Sequence, residues 1–173
     1  MRSIYAYDFD KTIVPYDSFR QYLLLLLREK PICIGCLLVL RRCRLISSVE
    51  MKEYITKIVD HSESLINKTK CFAQRVTRDI TWTQVAPADA IKLIISASPK
   101  VYMRYIADIL QCELICSDTI NETYIEMYGD VKASYLHQLY PPTEYVYTYA
   151  ASDSNADLCW MKDFNQYEKV NKQ

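Results

Sequence analysis

The sequence predicts an α/β fold with an open parallel sheet and a helical insert after the first strand. Short apolar runs that end at a polar residue, such as residues 91–95 before Ser96, are typical of buried parallel strands. Helical patterns fill the interval between the first two such runs, over residues 16–80. With 173 residues, half of them hydrophobic, the chain is long enough for one domain that carries such an insert.

Composition excludes some partners and indicates a compartment. The 21 basic residues balance the 21 acidic ones, so we expect no nucleic-acid partner. Cysteine occurs seven times, an odd count, and the start Met1-Arg2-Ser3 leads into a strand pattern without the apolar stretch of a secretory signal. We therefore expect a cytoplasmic protein with reduced thiols.

The first strand ends at two carboxylates. An apolar run over residues 4–7 stops at Asp8, and Asp10 and Thr12 follow at two-residue spacing. In an open α/β sheet, ligands bind beyond the carboxyl ends of the strands. We therefore expect Asp8 and Asp10 to lie at the functional edge of the sheet.

The insert begins with a helix that is predicted to start at Ser18, because Gln21 follows at capping-box spacing, and to end at Pro31. Its leucine run over residues 23–27 is apolar on every face, which indicates a helix that is buried on several sides or touches lipid.

A second apolar stretch, residues 32–40, ends in the basic cluster Arg41, Arg42 and Arg44. Neither stretch has the ~18 to 20 apolar residues of a membrane span, so we interpret them as a helical hairpin.

Two further helices complete the insert. Ser47 and Glu50 form a second capping-box pattern, and the next helix is predicted over about residues 64–80. We therefore divide the chain into a core domain, residues 1–15 and 81–173, and a cap, residues 16–80.

The remaining elements complete the sheet. Ser98 is the predicted N-cap and Pro99 the first residue of the helix after Ser96. The later elements are strands at 113–116 and 145–149, a short arm at 123–127, a helix at 131–140 and a last strand near 166–170.

Four motifs in this order carry a resemblance. They are Asp8-Phe9-Asp10-Lys11-Thr12, the strand that ends in Ser96, Lys132, and Asp153-Ser154-Asn155-Ala156-Asp157. Together they resemble the motifs of the haloacid dehalogenase-like (HAD) phosphohydrolase superfamily. The insert after the first motif, and the stretch over residues 94–99, are similar to subfamily IB, which contains phosphoserine and phosphatidylglycerophosphate phosphatases. The resemblance implies a Rossmann-like three-layer α/β/α core with a helical C1-type cap.

The resemblance also implies roles for these residues. Asp8 would attack phosphorus to form an aspartyl-phosphate, and Asp10 would act as general acid and base. The implied phosphate-binding residues are Thr12, Ser96, Ala97 and Lys132.

A cation is expected at this site because converging carboxylates repel one another and the substrate phosphate adds negative charge. Mg²⁺ suits an all-oxygen site. The resemblance implies that Asp8, Asp153 and the backbone carbonyl of Asp10 bind it, with Asp157 supporting these ligands from behind.

The chain departs from the family pattern at Ser152, in the link over residues 81–90 and in the last strand, which is short at most, near residues 166–170. Ser152 replaces the usual glycine before Asp153, so we expect strain in the turn that presents Asp153. The link over residues 81–90 is shorter than the helix that commonly precedes the second motif.

Three functions follow as alternatives. The first is a Mg²⁺-dependent phosphomonoester hydrolase for a small phosphorylated metabolite. A second is a peripheral membrane phosphatase for a lipid phosphate, suggested by the apolar cap and its arginines. In the third, the chain is a catalytically silent binding module. The sequence leaves the substrate and the oligomeric state open.

Overall fold

The computed structural model describes residues 1–170, which form an α/β domain around one six-stranded sheet. The strand order is β4-β3-β2-β1-β5-β6, and neighbouring strands are parallel except for the antiparallel pair β3 and β4. The strands are β1 (Arg2–Tyr7), β2 (Ile91–Pro99), β3 (Glu113–Ile120), β4 (Thr123–Ile125), β5 (Tyr145–Ser152) and β6 (Gln166–Lys169). The predicted Rossmann-like α/β fold is confirmed.

Four helices lie between β1 and β2, as the sequence predicts. They are α1 (Ser18–Glu29), α2 (Pro31–Arg42), α3 (Ser48–Asp60) and α4 (Glu63–Val76). The later helices are α5 (Lys100–Leu110), α6 (Asp130–Leu139) and α7 (Leu158–Met161). Within residues 1–170, no helix combines the length and the apolar character that crossing a bilayer requires.

Each face of the sheet is covered by helices, which gives the three layers. Alternate residues of β1 enter different hydrophobic clusters, because successive side chains of a strand point to opposite faces. Tyr5 and Tyr7 join a cluster that includes residues of α1 to α5. Ile4 and Ala6 join another that includes Leu136 of α6 and residues of α7.

The helices of the insert therefore share a core with the sheet. Leu26 of the leucine run is fully buried in this core, while Leu24 on the same helix is about half exposed. The division into core and cap at residues 15/16 and 80/81 stays a prediction, and its last residues, 171–173, lie outside the described part of the chain.

The N-cap of α1 differs from the prediction. Asp17 caps the helix by accepting a hydrogen bond from the Arg20 N–H at 2.9 Å, so the capping box predicted at Ser18 and Gln21 is wrong. The Ser18 side chain is not available for capping because its hydroxyl bonds the Tyr102 hydroxyl at 2.9 Å. The predicted box at Ser47 and Glu50 is confirmed, with both of its hydrogen bonds formed.

The start of α5 also differs. Strand β2 continues through Pro99, which is the N-cap, so the predicted N-cap at Ser98 is wrong by one residue. The Ser98 hydroxyl donates instead to Asp10, 88 residues earlier in the chain. The Ser98 side chain therefore makes a long-range contact instead of capping the helix.

The chain between the insert and β2 is short, as expected. Helix α4 ends at Val76 rather than at the predicted residue 80, and a 3-10 turn, Thr77–Asp79, follows. Residues 81–90 contain no helix, so this link to β2 is made of turns and extended chain.

Candidate active site

A cavity of about 530 Å³ opens at the carboxyl ends of the central strands. Its position agrees with the rule that ligands bind at this edge of an open α/β sheet. Every predicted site residue except Thr12 lines it, namely Asp8, Asp10, Ser96, Ala97, Lys132, Asp153 and Asp157.

Lys132 joins two carboxylates from different motifs. Its Nζ atom donates hydrogen bonds to Asp8 Oδ1 at 2.7 Å and to Asp157 Oδ2 at 2.9 Å. All three residues are buried, with Lys132 only 3% exposed. A buried ammonium between two carboxylates orients both of them. Helix α6 brings Lys132 into contact with Asp8, although the two residues are 124 positions apart in the sequence.

Burial and neighbouring charges act in opposite directions on the pKa values of Asp8 and Lys132. Burial raises the pKa of Asp8, and the ammonium of Lys132 opposes that rise. Burial also lowers the pKa of Lys132, but the adjacent Asp8 and Asp157 carboxylates outweigh it and raise that pKa. Lys132 therefore stays charged.

Thr12 ties the first motif to the fourth. Its hydroxyl donates to Asp8 Oδ2 at 3.2 Å and accepts the backbone N–H of Asp153 at 3.0 Å. The side chain thus links the turn after β1 to the end of β5. Its predicted contact with phosphate stays a prediction.

The Asp10 carboxylate is held by the start of the insert and the end of β2. Oδ1 accepts the backbone N–H of Ser18 at 2.5 Å, and Oδ2 accepts the Ser98 hydroxyl at 2.6 Å. Burial raises the pKa of Asp10, while the hydrogen bonds from Ser18 and Ser98 lower it in part. A carboxyl with a raised pKa is suited to donating a proton.

The turn that presents Asp153 is not strained, so the expectation at Ser152 is wrong. Among residues 1–170, the non-glycine residues with positive φ are Lys11, Arg44, Gln111, Asn121 and Glu122. The Ser152 hydroxyl instead donates to Asp157 Oδ2 at 2.6 Å and accepts the Ser154 N–H at 3.1 Å. The hydroxyl fixes the turn in a way that glycine cannot.

The end of β2 that carries Ser96 and Ala97 is held on two sides. Ser96 Oγ accepts the backbone N–H of Ser98 at 3.1 Å. The Ala97 carbonyl accepts the Ser117 hydroxyl at 2.8 Å and the ammonium of Lys52 at 2.9 Å. The peptide between Ala97 and Ser98 is thereby fixed in one orientation.

Lys52 is a site residue that the sequence analysis missed. It comes from α3, is 7% exposed, lines the cavity and forms an ion pair with Glu126 as well as the bond to Ala97. A usable signal was its spacing, because Lys52 precedes the core residues Ile55 and Val59 by three and seven positions. Those intervals put it on the buried face of α3.

The oxygen atoms at the cavity fit a magnesium ion. No group of three or more His, Cys, Asp and Glu side chains within residues 1–170 is placed to hold a metal. Mg²⁺ needs only one or two carboxylates when water and substrate phosphate complete its ligands. Asp8 and Asp153 line the cavity, and the described backbone hydrogen bonds of the turn do not use the Asp10 carbonyl.

Comparison with solved structures identifies the fold. The phosphoserine phosphatase solved as a phospho-aspartyl intermediate analogue has a TM-score of 0.54 and 14% identity over 96% of this chain and 85% of that chain. The chain has the fold of HAD-type hydrolases. A HAD family hydrolase from Salmonella enterica serovar Typhi gives a TM-score of 0.53 and 13% identity, covering 94% of this chain and 60% of that one.

A protein of unknown function from Bordetella pertussis Tohama I is also similar to this chain in structure, with a TM-score of 0.65 and 15% identity over 96% of this chain and 89% of that chain. No family model matches the sequence, and no curated protein is significantly similar to it. The likeness is therefore one of fold.

Proposed function

We propose that this chain is a Mg²⁺-dependent phosphomonoesterase that works through an aspartyl-phosphate on Asp8. The observation that carries the proposal is the Asp8 carboxylate at the cavity, held between Lys132 and Thr12. Such an oriented carboxylate can act as a nucleophile toward phosphorus. Its burial also restricts competing water.

The first step transfers the phosphoryl group to the protein. An oxygen of Asp8 forms a bond to phosphorus, and the bond from phosphorus to the ester oxygen breaks, with its electron pair leaving on that oxygen. Asp10 gives its proton to the leaving oxygen, which departs as an alcohol. The hydrogen bonds from Ser18 and Ser98 keep Asp10 in position for this transfer.

The second step releases phosphate. Asp10, now a carboxylate, takes a proton from a water molecule as the water oxygen bonds to phosphorus. The bond between phosphorus and Asp8 breaks, which restores the Asp8 carboxylate and leaves Asp10 protonated for the next turnover.

The charge of the transferring group must be offset in both steps. When bound, Mg²⁺ neutralises charge on the phosphoryl oxygens. Lys132 contributes a fixed positive charge beside Asp8, and Ser96 and the Ala97 N–H serve as donors to phosphate oxygens.

Two further observations support this reaction class. The phosphoserine phosphatase that shares this fold was solved as a phospho-aspartyl intermediate analogue. The cavity, about 530 Å³ and lined mainly by polar and charged side chains, suits a small phosphorylated metabolite.

Phosphate release from a panel of amino-acid, sugar, nucleotide and lipid phosphates tests the proposal. We expect release from at least one substrate with Mg²⁺, none with a chelator, and none from Asp8→Asn. Asp118→Asn, on an exposed ion pair with Lys100, is the matched control and keeps full activity. Equal rates for wild type and Asp8→Asn would show that the chain is not this enzyme.

A further inference from the structure

One face of α2 is apolar yet exposed. Ile32 is 82% exposed and Val39 61% exposed, and the thiols of Cys36 and Cys43 are exposed as well. At 100° per residue these four positions fall within about 60° of arc, so they form one stripe. We name Ile32, Cys36, Val39 and Cys43 the α2 stripe.

The opposite face of α2 holds the helix on the protein. Ile34 and Leu37 are buried, and on the helical wheel they lie across from the α2 stripe. Packing within the described chain therefore explains only one side of this apolar helix. The α2 stripe has no covering element in residues 1–170.

Basic residues stand at both ends of the α2 stripe. Residues 30–49 contain Lys30, Arg41, Arg42 and Arg44 but no acidic residue, although the whole chain is electrically neutral. All four basic side chains are exposed, and none forms an ion pair within the described residues. An apolar stripe with unpaired positive charge at its ends complements an anionic lipid surface.

A second copy of the chain is a poorer partner for this face. The α2 stripe is about 16 Å long and one helix, about 10 Å, wide, which is roughly a fifth of the ~800 Å² per partner in a stable interface. A two-fold dimer through the α2 stripe would also bring like charges together. An anionic bilayer needs no large interface on the protein, and its charge is opposite to that of the basic residues.

We infer that the α2 stripe docks on an anionic lipid surface, with Arg42 beside the stripe contacting the headgroups and Lys30 and Arg44, just beyond the ends of the helix, adding positive charge; Arg41 lies on the opposite face of α2. The arginine end lies beside the cavity, because Ser48 lines the cavity and four residues of chain span at most about 14 Å from Arg44. Docking would thus bring the cavity close to the membrane surface. The inference does not rest on the proposed reaction.

Co-sedimentation with vesicles tests the docking. We expect the chain to bind vesicles of phosphatidylcholine mixed with phosphatidylglycerol and not vesicles of phosphatidylcholine alone. Arg42→Glu should weaken binding at least fivefold, because each basic residue near an anionic surface contributes about that factor. Arg78→Glu, at an exposed position outside the α2 stripe, is the matched control and should bind as wild type does.

Substitutions at exposed valines test whether the apolar side chains of the α2 stripe contribute to vesicle binding. Val39→Asp should abolish binding, while Val85→Asp, at a valine outside the insert that is even more exposed, should not. Asp8→Asn should bind vesicles normally, which separates this inference from the catalytic one. Both valine variants keep their activity on a soluble substrate, because neither residue lines the cavity.

A fluorescent probe locates the contact. An environment-sensitive dye on Cys36, with the other exposed cysteines changed to serine, should shift to the blue on anionic vesicles, and the same dye on Cys71 of α4 should not. Binding that ignores vesicle charge or survives Val39→Asp would overturn the inference. A dimer in solution that Val39→Asp dissociates would overturn it too, since the α2 stripe would then serve a second copy.

Discussion

Lys132 and Asp8 form a buried ion pair of 2.7 Å between α6 and the end of β1, and Asp157 shares the same ammonium at 2.9 Å. A pair of this kind fixes the geometry of Asp8 before substrate arrives. Its loss would leave two carboxylates without their cation in a buried site, which is costly.

Lys132→Met should therefore lower the free energy of unfolding by about 3 to 5 kcal/mol. Urea denaturation at neutral pH measures the change. Lys100→Met is the matched control, because Lys100 pairs with Asp118 at 2.6 Å but is half exposed, and it should cost no more than about 1 kcal/mol. Equal losses in the two variants would contradict a structural role for the buried pair.

Ser152 gives a second stability prediction. Ser152→Ala removes the bonds to Asp157 and to the Ser154 N–H, so it should lower the free energy of unfolding by about 1 to 3 kcal/mol. Ser152→Gly should lower it by up to about 1 kcal/mol more, because glycine has greater freedom in the unfolded chain. Thermal and urea unfolding of both variants check this. A glycine variant more stable than wild type would mean that the turn is strained after all.

The acid role of Asp10 predicts a dependence on the leaving group. Asp10→Asn should lower kcat/KM, which reports the step that releases the alcohol and not the later attack of water, by about 10²- to 10⁴-fold for an alkyl phosphate. The loss should be much smaller for an aryl phosphate with an acidic phenol, because that oxygen departs without a proton. Steady-state kinetics on the two substrates give both values. The same loss on both would assign Asp10 a purely structural role.

Lys52 is predicted to position the segment of β2 that carries Ala97. Lys52→Met removes the bond to the Ala97 carbonyl and the pair with Glu126, so kcat/KM should fall by about 10- to 100-fold. Lys57→Met, on the same helix, breaks only an exposed pair with Glu53 and is the control. Kinetics on a soluble phosphomonoester, with thermal midpoints to monitor folding, check this. Unchanged kinetics in Lys52→Met would remove Lys52 from the site.

Sequence predicted the parts of the site that depend on topology. Asp8, Ser96 and Asp153 each follow an apolar run, and parallel strands bring such positions to one edge whatever the details of packing. The succession of strands along the chain and the position of the helical insert follow from the same pattern of runs.

Side-chain contacts that form only in the folded chain could not be predicted in this way. Ser98 and Ser18 carry the local signals of helix caps, yet the Ser98 hydroxyl donates to Asp10 and the Ser18 hydroxyl bonds the Tyr102 hydroxyl. The expectation at Ser152 follows from the glycine it replaces, whereas the bond from its hydroxyl to Asp157 depends on the folded turn. A lysine beside an apolar helix face is usually solvated, so the position of Lys52 on α3 does not by itself indicate its bond to Ala97.

The central claim is that Asp8 becomes phosphorylated during turnover. The wild-type chain, mixed with an active substrate and Mg²⁺ and quenched in acid within one turnover, should show the mass of one added phosphoryl group, located by fragmentation on Asp8. Asp8→Asn should show none. Phosphate release from the wild type without any phosphorylated Asp8, in a mixture quenched fast enough to hold the intermediate, would contradict the account.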